Sequence, residues 1–476
     1  MESTNAVQME VQIKTHFERL KANAPLLNKS AAKERIKMLK KLLRVVLSKQ
    51  DAIADALHLD YGRHPVETGL ADTWVVVKEI RFAIRNLENW MKPRYVPTSL
   101  VFFGSTSSIH FEAKGVVLIL APWNFPFNLT LSPLVSAIAA GNTVMIKPSE
   151  FTKHSSKLIG EIIDESFSKE HVVLCEGNAE LSAALLKLPF NHIFFTGSER
   201  VGKLVMKAAA ENLTSVTLEL GGKSPVIVDK TVDLKLAARM AAYAKFCNNG
   251  QVCIGADYVY VHEAVAEKFI AFFKEAIAKM YPHKRFRENA AYARIVSPQH
   301  FDRIKSLVDD ALDKGAELQM EIEVDKEQRF ISPVLLTNVT EGMLVNQQEI
   351  FGPILPVKTF AHLEELPANI IAHGNPLAMY IFSKDKKAVR YLLQHVSAGA
   401  CIVNEAFIHH FNSHLPFGGI NKSGIGKSHG HFGFLEFSNQ KAVIRQWLPW
   451  HVSKLLQPPY TKFSNFLTKL LIKYFS

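Results

Sequence analysis

Apolar residues recur at three- and four-residue intervals through the first hundred positions. Ile36, Leu39, Leu42, Leu43, Val46 and Leu47 form one stripe, and Leu70, Trp74, Val77, Ile80, Ile84 and Leu87 form another. That spacing predicts amphipathic helices, each burying one face. Between residues 115 and 230 the pattern changes. Short β-rich runs (Val116-Val117-Leu118-Ile119-Leu120, Thr143-Val144-Met145-Ile146 and His192-Ile193-Phe194-Phe195) alternate with helical stretches. Their apolar residues are continuous rather than alternating, which predicts an α/β fold with a buried parallel sheet and crossover helices. No repeat or low-complexity linker divides the chain, and a seam is expected near Thr217, where the run into Glu219 begins.

The end of the chain is different. After Pro458-Pro459, the residues Phe463, Phe466, Leu467, Leu470, Leu471 and Tyr474 fall on one helical face, with Lys469 and Lys473 near the other. Such a basic amphipathic helix lies on an acidic membrane surface, or it docks on its own protein or a partner subunit. Both readings stay open.

Composition narrows the picture. The 476 residues are 48% hydrophobic and 21% charged, the balance of a soluble globular protein. By length they suit about three domain-sized units or fewer large ones. A net charge of +11 fits nucleic acid, an anionic membrane surface or an anionic cofactor. No nucleic-acid module is recognisable, so nucleic acid is not an expected partner. Four cysteines in a chain this long make no disulfide framework, and they suit a reducing, cytoplasmic compartment. Cys175 and Cys401 read as small core residues, and Cys247 and Cys253 lack a zinc-knuckle spacing. The polar start of the chain is not a secretory signal, and no apolar run approaches the ~20 residues of a membrane span.

Three segments carry candidate chemistry. Cys253 ends Asn249-Gly250-Gln251-Val252-Cys253, Glu219 lies in Leu218-Glu219-Leu220-Gly221-Gly222-Lys223, and Asn124 lies in Pro122-Trp123-Asn124-Phe125-Pro126. A thiol, a carboxylate and an amide can attack a carbonyl, move a proton and hold an oxyanion. Each also has a structural reading: an inert buried cysteine, a strand-end glutamate, and an asparagine capping the next helix.

Other segments suit a nucleotide. The run His192-Ile193-Phe194-Phe195 leads into Thr196-Gly197-Ser198-Glu199-Arg200-Val201-Gly202, a strand, a glycine turn and a helix start able to hold a phosphate. The spacing is not GxGxxG, so Gly197 is either part of an anion site or a turn glycine. Lys147-Pro148-Ser149-Glu150 places a cation and a carboxylate at a strand end, for ribose hydroxyls or a 2′-phosphate, or else as a solvated lysine. Glu349 and Phe351, in Gln348-Glu349-Ile350-Phe351-Gly352-Pro353, pair a carboxylate suited to a ribose diol with a ring suited to a nicotinamide. The histidines 409, 410 and 414 lack a matching set of cysteines or carboxylates, so no metal is expected and a place beside a pocket or interface is.

In chain order, Pro122-Trp123-Asn124, Leu218-Glu219-Leu220-Gly221-Gly222-Lys223, Gly250-Gln251-Val252-Cys253, Glu349-Ile350-Phe351-Gly352-Pro353 and Pro416-Phe417-Gly418-Gly419 resemble the motifs of the aldehyde dehydrogenase superfamily. Trp90-Met91-Lys92-Pro93 and Ser428-His429-Gly430-His431-Phe432-Gly433-Phe434 are most similar to its class 3 and fatty aldehyde dehydrogenase branch. The resemblance implies a Rossmann-like cofactor domain (1–216, with a bridging hairpin near 100–115) and an α/β catalytic domain (217–407). A return to the bridging and oligomerisation region (408–445) and the amphipathic tail (446–476) would complete the chain.

It implies an NAD- or NADP-dependent homodimer that oxidises aldehydes to carboxylic acids. Cys253 would be the nucleophile, Glu219 the general base and Asn124 an oxyanion donor. Lys147 and Glu349 would hold the cofactor ribose, Phe351 the nicotinamide side, and Gly197, Ser198 and Gly202 the pyrophosphate region, with Glu150 also on the cofactor side. Val252 stands where the family often has threonine, and Gly255-Ala256-Asp257 replaces Ala-Pro-Asp, departures that bear on substrate preference. Medium- to long-chain aliphatic or aromatic aldehydes are the expected substrates. The rival readings are a thiol esterase using Cys253 and a catalytically silent scaffold on the same fold.

Overall fold

The computed structural model describes residues 2–99, 102–282, 286–449, 454 and 457–474. Parts of the bridging hairpin (100 and 101) and of the tail (450–453, 455, 456, 475 and 476) lie outside the described residues. The helical start is observed as Glu2–Asn28, Ala32–Ser48, Gln50–Tyr61 and Val75–Trp90. Leu39, Leu42, Val46, Val77, Ile80 and Leu87 are buried in one core. Leu70 and Trp74 depart from their stripe and remain 53% and 44% exposed. The reason is a π-helical turn, Gly69–Trp74, inserted ahead of Val75–Trp90. Its extra residue rotates these two side chains off the core-facing stripe.

Five parallel strands and one antiparallel edge strand form the first sheet. Its order is Gly424–Ile425, Ser215–Leu220, His192–Gly197, Val116–Leu120, Thr143–Lys147 and Val172–Leu174. The chain starts in the middle at Val116–Leu120, builds outward one way, and returns to build the other way from His192–Gly197. This is a doubly wound, Rossmann-like sheet, and its switch point lies between Val116–Leu120 and His192–Gly197. The full length of Ser215–Leu220 pairs with His192–Gly197, so the expected seam at Thr217 falls inside a strand. The hydrogen-bond ladder holds the chain in the first sheet until Leu220, and the passage comes at Gly221-Gly222-Lys223-Ser224.

The second sheet has seven strands. Six are parallel, in the order Val334–Thr337, Ile354–Phe360, Tyr258–His262, Pro225–Val228, Ala378–Phe382 and Ala400–Val403, and Glu317–Leu318 adds an antiparallel edge. A third, antiparallel sheet joins Arg94–Val96, Ser105–Ala113 and Ser438–Gln446. It leaves Tyr95 and Ile444 exposed, and Trp447, just beyond its last strand, is exposed as well. The tail forms the helix Lys462–Tyr474, with Phe463, Phe466 and Tyr474 more than half exposed. No helix among the described residues is long and apolar enough to cross a membrane.

Candidate active site

Cys253 follows a sharply turned segment. The helix Leu234–Phe246 ends in the turn Cys247–Gly250, where Asn248, Asn249 and Gly250 take φ values of 49°, 57° and 73°. Asparagine and glycine are the residues that tolerate this left-handed region. Side-chain amides then pin the turn: Asn249 Nδ2 donates to Ala293 O (2.7 Å), Gln251 Nε2 to Arg294 O (3.0 Å), and Asn248 Nδ2 to Asn124 O (3.0 Å).

The chain beyond them puts Cys253 at the junction of two cavities. One, of about 370 Å³, is walled by Trp74, Phe125, Tyr243, Tyr281, Phe407 and other largely apolar side chains. The other is smaller and is lined by Glu219, Thr196 and Ser428 as well as Cys253. The Cys253 thiol is pushed up to about 12, first by burial and then by the charges of Glu349 and Glu219. The backbone N–H groups of Ile254 and of Cys253 itself act the other way.

Glu219 is buried within Ser215–Leu220, not exposed at a strand end. Its Oε1 accepts the Ser428 hydroxyl at 2.9 Å, and its Oε2 is buried with no partner. Burial pushes this carboxyl up to about 8, against the Ser428 hydrogen bond and the Lys427 charge. Such a group takes and returns a proton near neutral pH.

Asn124 is buried, and its Nδ2 donates to Gln251 O at 3.1 Å, leaving the second amide hydrogen uncommitted. The following helix, Pro126–Ala140, has Phe125 at its N-cap and no side-chain cap, so Asn124 is not spent on capping. Its backbone carbonyl accepts the Tyr61 hydroxyl at 2.9 Å. Behind it, Arg63 and Asp72 form an ion pair at 2.7 Å with no exposure on either side chain, and Asp72 Oδ1 also accepts the Asn128 N–H.

The opposite side of the site is polar. Lys147 is buried and paired with Glu150 at 2.6 Å rather than solvated. Ser198 caps the helix Glu199–Ala210, accepting from Val201 N. A Cβ on Gly202 would stand 2.7 Å from Leu220, so glycine lets this helix sit close on the sheet. A Cβ on Gly221 would stand 2.1 Å from the Glu349 carboxylate, which takes the Gly222 N–H at 3.1 Å. Glu349 is pushed up to about 7, by burial first and by Asp257 second. Phe351 holds φ at 49°, with its ring edge-on to Trp123 at 5.4 Å.

Two cations fix that loop. Arg303 donates to the carbonyls of Glu349 (3.2 Å) and Ile350 (2.6 Å), and Lys223 pairs with Asp257, which accepts the Ile350 N–H. Thr196 Oγ1, at the carboxyl end of the switch-point strand, is buried without a partner. The orphan hydroxyl, the close glycine packing and the carboxylates at the switch point fit a dinucleotide.

Sequence reasoning missed Arg63, Asp72, Ser428, Arg303 and Glu67, which act through contacts distant in the chain. Charged residues inside an apolar helical region were the available signal for Arg63 and Asp72. His410 lines the large cavity, whereas His414 packs edge-on to Phe82.

The aldehyde dehydrogenase family profile matches residues 4–443. The chain is 41% identical to 4,4'-diaponeurosporen-aldehyde dehydrogenase of Staphylococcus aureus, over 86% of this chain and 88% of that protein. It is 38% identical to aldehyde dehydrogenase family 3 member H1 of Arabidopsis thaliana, over 92% and 90%. Among solved structures, the substrate-bound Staphylococcus aureus AldH superposes with a TM-score of 0.92 at 37% identity, covering 96% of this chain and 99% of that one. The chain belongs to the aldehyde dehydrogenase family, enzymes that oxidise aldehydes with NAD or NADP.

Proposed function

We propose that the chain oxidises medium- to long-chain aliphatic or aromatic aldehydes, with Cys253 as nucleophile, Glu219 as general base and Asn124 in the oxyanion hole. One observation carries this assignment. Cys253 joins an apolar cavity sized for a small molecule to a smaller space lined by a buried carboxyl. Cys253 gives up its thiol proton to Glu219, directly or through a water that passes it on to solvent, and the thiolate attacks the carbonyl carbon. The oxyanion of the thiohemiacetal takes hydrogen bonds from Asn124 Nδ2 and the Cys253 N–H. Lys147, Glu150, the Gly197–Ser198–Gly202 turn, Glu349 and Phe351 would hold a dinucleotide, which would supply the hydride acceptor. With hydride gone, Cys253 carries a thioester. Glu219 then takes a proton from water, the hydroxide displaces sulfur, and a carboxylic acid leaves.

Cofactor choice follows from one pair. Glu150 sits 2.6 Å from the Lys147 ammonium, so a 2′-phosphate reaching Lys147 also meets a carboxylate. NAD is the preferred partner on this reading. The exposed side chains of the three-stranded sheet, Tyr95 and Ile444, support a homodimer through that sheet. From residue 437 onward the chain carries Lys441, Arg445, Lys454, Lys462, Lys469 and Lys473 and no acidic residue. With the exposed Phe463 and Phe466, that charge supports peripheral contact with an anionic lipid surface.

The test is NADH formation from a chain-length series of aldehydes, with Cys253→Ser alongside. Turnover that vanishes in the variant, while nucleotide binding persists, is the expected result. Turnover surviving in Cys253→Ser overturns the assignment. Hydrolysis of esters without any aldehyde oxidation would favour the esterase instead.

A further inference from the structure

The large cavity beside Cys253 is walled mostly by aromatic and aliphatic side chains, and among the described residues Glu67 is its only carboxylate. Glu67 lies in the short helix Pro65–Thr68, just ahead of the π turn. Its Oε1 is occupied, accepting the Cys247 thiol at 2.9 Å and the Asn248 N–H at 2.5 Å. No hydrogen bond reaches its Oε2 among the described residues, and no cation is paired with it. The nearest guanidinium, Arg63, is committed to Asp72.

The two donors on Oε1 anchor the carboxylate to the turn that carries Cys253, at the lining of the cavity. Its charge is felt there: Tyr243 and Tyr281, both lining the cavity, are pushed up by burial first and by the neighbouring Glu67 and Cys247. Glu67 is a part-buried residue of the cavity lining, and an ionised carboxylate oxygen with no protein donor is an acceptor that a ligand hydroxyl can use in place of water.

We propose that Glu67 Oε2 accepts a hydrogen bond from a hydroxyl at the end of the substrate remote from its carbonyl. Glu67 is then a specificity-determining residue for hydroxyl-bearing aldehydes, with aromatic ones best matched to the walls of Trp74, Tyr243 and Tyr281. A cationic end group would meet the same carboxylate and is the rival occupant that the experiment separates from a hydroxyl. This inference rests on the dehydrogenase reading above and names its substrate class.

The experiment compares kcat/KM, in the full-length enzyme with NAD, for two aldehydes of matched shape. They are 4-(hydroxymethyl)benzaldehyde, whose hydroxyl does not ionise, and 4-ethylbenzaldehyde. A third arm uses 4-(dimethylaminomethyl)benzaldehyde, which is cationic. The hydroxyl compound is expected to lead the ethyl compound by about 10-fold or more, the range of a hydrogen bond to a charged group. In Glu67→Gln that ratio should shrink severalfold, and in Glu67→Leu it should reverse.

A ratio near one or below in the unaltered enzyme overturns the proposal, and that reading needs no variant to fold. So does a ratio that Glu67→Gln leaves unchanged, or a lead for the cationic compound. Failure to oxidise any aldehyde would instead strike the dehydrogenase reading itself.

Discussion

The two sides of the site are built on opposite principles. On the nucleotide side nearly every charge has a partner: Lys147 with Glu150, Lys223 with Asp257, Arg303 with two backbone carbonyls. On the aldehyde side the walls are aromatic and aliphatic, and one carboxylate oxygen is left open. The contrast suits what we propose that each side holds. A dinucleotide brings phosphates and hydroxyls that need donors and acceptors in fixed places. An aldehyde chain brings area to bury, and a dry wall strengthens the few polar contacts near the reacting carbon.

The contrast can be broken at several points. Glu219→Gln should have the largest effect, lowering steady-state kcat by about 10²–10⁴-fold while leaving a slower single-turnover burst of NADH, since the thiol can lose its one proton to solvent whereas deacylation needs a base to activate water in every turnover. The same residue sets the pH dependence. Its pKa is raised to about 8 and the base must be ionised, so deacylation should climb as pH rises through that value and level off above it. Normal turnover in Glu219→Gln, or a flat profile between pH 6 and 9, would contradict the role.

Next comes the buried pair that backs the Asn124 loop. Asp72→Ala strands the Arg63 guanidinium without a counter-charge and should destabilise the fold by about 3–5 kcal/mol, read by urea unfolding. A loss below about 1 kcal/mol would mean that the pair contributes little.

Glu150→Gln is a milder change on the polar side. Removing the carboxylate beside Lys147 should shift the NADP-to-NAD ratio of kcat/KM upward by about 10-fold, in line with relieving like-charge contact. No shift would leave cofactor choice to other residues. The smallest effect on chemistry belongs to the tail. Deleting residues 461–476 should leave oxidation of a short soluble aldehyde unchanged and abolish co-sedimentation with anionic vesicles. Unaltered co-sedimentation would refute lipid contact through this helix.

Much of the polar side was readable in the sequence, because its parts come as short contiguous segments. Lys147 and Glu150 stand three residues apart at the end of a strand, and Gly197 to Gly202 run from the end of another into a helix. The same holds for the chemistry-bearing Cys253, Glu219 and Asn124, each set among glycines or prolines that restrict the backbone. The aldehyde wall was not readable. Its side chains come from separate stretches around residues 64–74, 125–129, 243–254, 280–291 and 407–417, and an apolar residue in a helix looks the same whether it faces a core or a cavity. Leu70 and Trp74 show why: they keep the period of a core stripe, and only the π turn moves them off it.

By itself the sequence determined the alternation of strands and helices, since continuous apolar runs are stable only when covered on both faces. It also supplied the thiol, the carboxylate and the amide that we propose as reacting groups, since that chemistry belongs to the side chain. Tertiary structure decided how those groups behave. The raised pKa values of Glu219 and Cys253 come from burial and from charges brought close by folding. The open oxygen of Glu67 depends on which donors the turn before Cys253 happens to spend on its other oxygen. Distances across the fold set both, and the order of residues along the chain does not contain them.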